Sequence, residues 1–262
     1  MAKIAQALLA PPHDSTQHLP LKQQSTSLMT RRTTALAAAL SLLPLGQPLL
    51  LGSTTALATA AVVLSTQAAH AQSAGEFFNR GNAKIKSKDY QGAIADYNEA
   101  IEIDPKNALI YNNRGFAKQL SVDEQDADAY MLIQEAIADY TMAISINPQF
   151  ALAYTNRGNT KYDLRDYQGA IADYNKAIEI DPQDAFAYVH RGYAKSNLKD
   201  YQGAIADYTK AIEINPQYAD AYYNRGIDKE LVGDLKGACA DWKEASSLGD
   251  KGAADWVRVQ CQ

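Results

Sequence analysis

One feature constrains this chain more than any other: most of it repeats itself at a period of 34 residues. The dipeptide Arg-Gly recurs with spacings of 34, 43, 34 and 34 residues. Its five copies are Arg80-Gly81, Arg114-Gly115, Arg157-Gly158, Arg191-Gly192 and Arg225-Gly226. Self-similarity at this period predicts an array of stacked units, each too small to fold alone.

The spacing divides the chain into five repeats, of which the second carries nine extra residues. Their bounds are 74–107, 108–150, 151–184, 185–218 and 219–252. In the third repeat, Tyr154 and Tyr162 fall on one face of a first helix, and Ile171 and Ile178 on one face of a second. Pro182 then ends the second helix. Each repeat is thus a helical hairpin whose apolar face is buried only by its neighbours, which predicts an all-α solenoid.

The pattern within each repeat resembles the tetratricopeptide repeat. That family has aromatic residues at positions 4 and 24, small residues at positions 8, 20 and 27, and proline at position 32. The first repeat matches with Phe77, Gly81, Ala93, Tyr97, Ala100 and Pro105. The fifth has Asp250 in place of the proline, as a terminal repeat followed by a capping helix within residues 253–262 would. The resemblance covers residues 74–252 and implies a right-handed α-solenoid of five hairpins plus that cap, with the position 4 and 24 aromatics in the core.

Three charged positions are the same in every repeat: Arg at position 7, Lys at position 11 and Asp at position 23. We expect each Arg to be held by an Asp of a second helix, because a guanidinium suits a half-buried carboxylate. The row of Lys is expected to form a solvated edge. The alternative is a cationic ladder for an acidic ligand.

A row of amides at position 6 is the main indication of function. Side-chain amides both donate and accept, so a row of them can pair with the backbone of an extended peptide. Comparable asparagine ladders bind peptide in related superhelical repeat domains, and the resemblance implies the same here. The alternative is that these are simply soluble surface residues. The predicted groove comprises Asn79, Asn82, Asn113, Phe116, Asn156, Asn159, His190, Tyr193, Asn224 and Ile227.

A carboxylate clamp for acidic chaperone tails, which some tetratricopeptide proteins carry, is absent from this sequence. Asn82 and Asn113 match its pattern, but Phe78, Leu152 and Asn156 stand where it needs cations. An acidic tail is therefore not the expected ligand.

Charge and composition exclude several other functions. Residues 1–71 contain four of the 25 basic and one of the 30 acidic side chains, so residues 72–262 carry a net charge of −8. Such a body repels phosphate backbones, which argues against nucleic-acid binding. No Ser/His/Asp set, phosphate loop or metal-ligand spacing is present, and the acidic insertion of the second repeat lacks the alternation of an EF-hand. We predict a non-catalytic protein with no cofactor and no metal.

The amino terminus reads as a targeting segment rather than as part of the fold. Arg31 and Arg32 precede an uncharged apolar stretch, residues 33–69, that ends in Ala69-His70-Ala71. This order predicts export to a periplasm, a thylakoid lumen or the outside, with cleavage before Gln72. A membrane anchor formed by residues 33–69 is the alternative.

Two cysteines lie near the carboxyl end. In an oxidising compartment a Cys239–Cys261 bridge would pin the capping helix; otherwise Cys239 replaces the core Ile of the other repeats. We predict an exported scaffold or assembly factor that binds a protein or peptide in its groove. An accessory subunit of an enzyme and a self-associating array are the alternatives.

Overall fold

A computed structural model describes residues 73–122 and 129–261 of the chain. Within these residues there are eleven α-helices and no strand. The predicted export segment, residues 1–71, and most of the acidic insertion, residues 123–128, lie outside the described residues.

The helices form five consecutive pairs followed by one more helix. They are α1 (73–86), α2 (Tyr90–Ile103), α3 (Ala108–Leu120), α4 (Ala129–Ile146), α5 (Ala151–Asp163), α6 (Tyr167–Ile180), α7 (Ala185–Asn197), α8 (Tyr201–Ile214), α9 (Ala219–Leu231), α10 (Leu235–Ser247) and α11 (Lys251–Gln260). In the described residues each odd-numbered helix up to α9 is the first helix of a hairpin, and the following helix is the second.

Local sequence sets the helix ends. In the third hairpin Arg165 has a positive φ of 61°, and the next residue, Asp166, caps α6 by accepting a hydrogen bond from the Gly169 amide at 2.9 Å. The same helix ends at Ile180, two residues before Pro182. The insertion of the second repeat leads into a longer helix: α4 has 18 residues, whereas α6 has 14.

The second helix of each hairpin packs on the first helix of the next, and this contact continues the stack from α2 to α11. First helices of neighbouring hairpins also touch, as α3 with α5, α5 with α7, and α7 with α9, while the second helices make no comparable contact in the described residues. The first helices therefore line the inner side of a curved right-handed α-solenoid. We call the concave side of the solenoid, formed by α1, α3, α5, α7 and α9, the inner surface.

The core lies between the two helices of each hairpin. The position 24 aromatics are fully or almost fully buried, as predicted: Tyr97, Tyr140, Tyr174, Tyr208 and Trp242. The position 4 aromatics, also predicted to be core, are only half-buried. One side of each ring lies against the guanidinium of the position 7 Arg, which is itself partly exposed, instead of against apolar core; Tyr154 does so with Arg157 at 5.7 Å.

Helix α11 covers the end of the stack. Trp256 stacks on Trp242 with ring centroids 5.0 Å apart. A disulfide joins Cys239 of α10 to Cys261, with Cα atoms 5.5 Å apart. The helix begins at Lys251 because Asp250 caps it by accepting from the Ala253 amide at 2.7 Å. None of the described helices has the length and apolar character needed to cross a membrane.

Candidate peptide-binding surface

Every hairpin contains one buried carboxylate that binds two cations. In the third, the Asp173 carboxylate accepts from Arg157 at 2.6 and 3.0 Å and pairs with the Lys161 Nζ at 2.7 Å. The partners of Arg are therefore as predicted. The prediction for Lys was wrong: Lys84, Lys118, Lys161, Lys195 and Lys229 each pair with the Asp of their own hairpin instead of forming a solvated edge. The Asp is almost fully buried and can accept from both sides, which outweighs the repulsion between cations one turn apart.

These Arg-Lys-Asp triads also join neighbouring hairpins. The remaining nitrogen of Arg157 donates to Thr141 of the previous hairpin at 3.0 Å, and that of Arg191 donates to Asn175 at 2.7 Å. Arg114 and Arg225 do the same with Asn98 and Thr209. The position 7 Arg thus links three helices.

The amides of the predicted groove bind one another across the repeats. The Asn113 side chain donates to Asn82 at 3.0 Å, and Asn156 donates to Asn112 at 3.0 Å. Asn82 also accepts from the Tyr97 hydroxyl at 2.7 Å. Both Asn113 and Asn156 are half-buried. The two amides therefore do not stand free as a ladder, and each has an acceptor inside the protein.

The groove becomes aromatic towards its carboxyl-terminal half. His190 packs against Phe186 with ring centroids 3.8 Å apart and edge-on to Tyr193 at 5.3 Å. Burial lowers the pKa of His190 to about 3, so the imidazole is neutral at physiological pH. Asn224 donates to the Tyr193 hydroxyl at 3.3 Å, while Asn159 accepts from the Tyr174 hydroxyl at 2.7 Å. Asn79 is exposed, and Phe116 and Ile227 are half-buried.

An exposed apolar stripe runs along the inner surface beside these amides. Leu109, Leu152 and Phe186 hold position 2 of three successive repeats and are 41%, 47% and 39% exposed. Each lies one helical turn before the position 6 residue, and therefore on the same helix face. Three large apolar side chains exposed in line leave a surface suited to apolar groups of a partner.

Sequence reasoning missed one polar group of the inner surface. Asp163 ends α5, is exposed, and receives only a long hydrogen bond from Gln119, at 3.5 Å. Its surroundings desolvate the carboxylate and raise its pKa to about 6. Position 13 has no common residue type in the five repeats, which have Lys86, Leu120, Asp163, Asn197 and Leu231 there, so no periodicity marked Asp163.

No cluster of three or more His, Cys, Asp or Glu side chains able to hold a metal ion occurs in residues 73–122 and 129–261. The chemistry that the inner surface offers is that of hydrogen bonding and apolar contact.

Models of the tetratricopeptide repeat match several stretches of this chain. One, described as TPR repeat, covers residues 81–122 and 197–227, and two described as tetratricopeptide repeat cover 151–184 and 173–206. Among curated proteins, Protein STIP1 homolog of Dictyostelium discoideum is 46% identical over 57 residues, which are 22% of this chain and 10% of that protein. The chain thus spans about a tenth of the length of the first curated relatives it matches.

Solved structures share the fold over a larger part of the chain. A crystal structure of MamA aligns with a TM-score of 0.57 at 25% identity, covering 66% of this chain and 96% of that one. YrrB, described as a TPR protein with an unusual peptide-binding site, gives a TM-score of 0.55 at 20% identity, covering 70% and 90%. At the latter identity the likeness shows the fold alone. Residues 81–122 and 151–227 are thus made of tetratricopeptide repeats, which stack in an all-helical solenoid.

Proposed function

We propose that this protein binds an extended segment of a partner protein on its inner surface and acts as a non-catalytic scaffold or assembly factor. The observation that carries the proposal is the exposed stripe of Leu109, Leu152 and Phe186 beside a row of amides and aromatic rings. Apolar contacts supply affinity in such a groove, while polar side chains next to them fix the orientation of the segment. YrrB, a protein of similar fold, is described as having an unusual peptide-binding site, which supports peptide binding by a solenoid of this kind.

The amides take part through the atoms that remain available. Asn113 and Asn156 each donate one N–H within the protein, and the Asn113 oxygen also accepts from Asn112 at 3.1 Å. An amide oxygen has two lone pairs, so each of the two can accept a further bond. Partner backbone N–H groups fit these acceptors. This differs from a free ladder, in which each amide both donates to and accepts from the peptide.

Binding is tested with dodecapeptides selected from a random display library against the full chain. Leu109→Ser and Leu152→Ser together should weaken the selected peptides at least about tenfold, because two large apolar contacts are lost. Met142→Ser is the matched control, since Met142 has similar exposure, 45%, but lies on the second helix α4. Equal affinity of the double variant and the control would remove the stripe as the binding surface.

We propose further that the protein works after export. Support comes from the sequence alone: paired arginines, an uncharged apolar stretch over residues 33–69 and a small-x-small site before Gln72. Mass spectrometry of the protein isolated from its cells should find an amino terminus at or near residue 72. A chain that retains Arg31 and Arg32 in the cytosol would contradict export.

A further inference from the structure

In four of the five inner helices, every basic side chain is bound to a carboxylate. Helices α3, α5, α7 and α9 contain eight Lys and Arg residues, and every one of them is the Arg or Lys of a triad. Each is bound by an Asp of a second helix: Asp139, Asp173, Asp207 or Asp241. No positive charge of these four helices therefore remains to attract an acidic partner.

A negative charge does remain, at Asp163. The residue lies at the carboxyl-terminal end of α5 and is exposed, and within the described residues no Lys, Arg or His nitrogen lies within 4.0 Å of its carboxylate. Gln119 donates to it from the neighbouring hairpin, at 3.5 Å. Burial raises the pKa of Tyr162 and Tyr174, and the charge of Asp163 adds to the increase.

An exposed carboxylate that has no cation bound to it is a favourable place for one. An ammonium or guanidinium there gains charge-assisted hydrogen bonds to the carboxylate. The long-range field acts in the same direction, because residues 72–262 carry a net charge of −8.

We propose that the inner surface recognises a partner segment that combines apolar side chains with a Lys or Arg, the apolar groups lying on Leu109, Leu152 and Phe186 and the cation on Asp163. The inference rests on the proposed peptide-binding function and adds the chemistry of the partner to it. A groove lined with basic side chains would instead select an acidic segment.

Helix geometry sets the spacing between the two contacts. Leu152 and Asp163 are eleven residues apart on α5, or about 16 Å along the helix axis. An extended peptide covers this distance with about five residues. The expected partner segment therefore has its basic residue about five positions from the apolar residue that contacts Leu152.

The test compares peptides selected by two forms of the full chain from the same random dodecapeptide library. Peptides selected by the unaltered protein should be enriched in Lys or Arg near apolar residues. Asp163→Asn should abolish the basic enrichment and retain the apolar one. In direct titrations, replacing the basic residue of a selected peptide by Gln should weaken binding about threefold to tenfold on the unaltered protein and have no effect on Asp163→Asn.

Glu179→Gln is the matched control, since it removes the same charge from the exposed end of α6 and should leave the selection unchanged. Basic enrichment that persists in Asp163→Asn overturns the inference while the peptide-binding function stands. A library that yields no binder, or binders indifferent to Leu109→Ser and Leu152→Ser, overturns the proposed function and the inference with it.

Discussion

Asp173 is 4% exposed and holds two cations that are themselves largely covered, Arg157 at 16% and Lys161 at 23% side-chain exposure. A carboxylate buried this deeply is costly unless it is paired, so the triad favours the helix arrangement that brings all three charges together. The same pairs recur in all five repeats.

Asp173→Asn should lower the free energy of unfolding by about 3 kcal/mol, because two cations then lose their shared counterion inside the protein. Glu179→Gln breaks the exposed ion pair with Lys176 and should change the free energy of unfolding by less than about 1 kcal/mol. Urea unfolding followed by far-ultraviolet circular dichroism measures both. Equal midpoints for the two variants would show that the triad is only a surface feature.

Asp228 is a buried acid with no cation. It is 1% exposed, accepts from the Ser196 hydroxyl at 2.7 Å through one oxygen, and has no hydrogen-bond partner for the other in the described residues. Burial raises its pKa to about 7, and its charge also raises the pKa of nearby Tyr208. The folded protein therefore binds this proton more tightly than the unfolded chain, whose Asp pKa is about 3.9.

A raised acid pKa stabilises the folded state below about pH 4, and this stabilisation is lost as pH rises through about 7. Asp228→Asn should therefore raise the melting temperature at pH 8 and have little effect at pH 4.5. The quantity to measure is the difference in melting temperature between variant and unaltered protein across this range, which cancels the other titrating groups. A difference that stays constant with pH would contradict a buried, protonated Asp228.

At the scale of the helix, close approach within a hairpin depends on glycine. A Cβ on Gly158 of α5 would lie 2.8 Å from the ring of Tyr174, which is fully buried on α6. The ring has no room to withdraw, so the two helices would have to separate. Gly81, Gly115, Gly192 and Gly226 meet the position 24 aromatic in the same way.

Gly158→Ala should destabilise the protein by about 1 to 3 kcal/mol, although alanine is the better helix former. Gly75→Ala is its control: Gly75 also lies in a helix, α1, but nothing stands within 4 Å of its would-be Cβ, so stability should rise slightly or stay the same. Thermal melts of the two variants decide the matter. If Gly158→Ala leaves the melting temperature unchanged, the two helices have room for a methyl group between them.

The helices and their core were predictable because they follow from period and residue type alone. The partners of Arg157 and the burial of Tyr174 fall in this class. The pairing of Lys161 with Asp173 could not be predicted in this way. The spacing of four residues places Lys161 and Arg157 on one helix face, but it does not show that one carboxylate contacts both. The Asn113–Asn82 and Asn156–Asn112 bonds likewise depend on how far one hairpin is displaced along the next, which packing decides and a 34-residue period does not encode.

At the scale of the whole solenoid, stability is approximately a sum of hairpins and the interfaces between neighbours. An end hairpin has one interface fewer and opens first unless it is covered. Helix α11 supplies that cover here: Trp256, Val257 and Cys261 pack on the cluster of Ala238, Trp242 and Ala245. The disulfide between Cys239 and Cys261 ties the cover to the last hairpin and spans 22 residues of chain.

Reduction of this disulfide should loosen the end of the solenoid before the rest. A loop of this length corresponds to about 3 kcal/mol in the chain-entropy estimate, and the loss falls on α10 and α11. The fluorescence of Trp242 and Trp256 should therefore change at a lower temperature after reduction, while far-ultraviolet helicity persists. Cys261→Ser is the control, since its melt should match that of the reduced protein and no longer respond to reductant.

Thiol titration tests whether the disulfide forms at all. The denatured, unreduced protein should have no free thiol. Two free thiols would mean that Cys239 is only a core residue, in the place where Ile171 and Ile205 stand in other repeats.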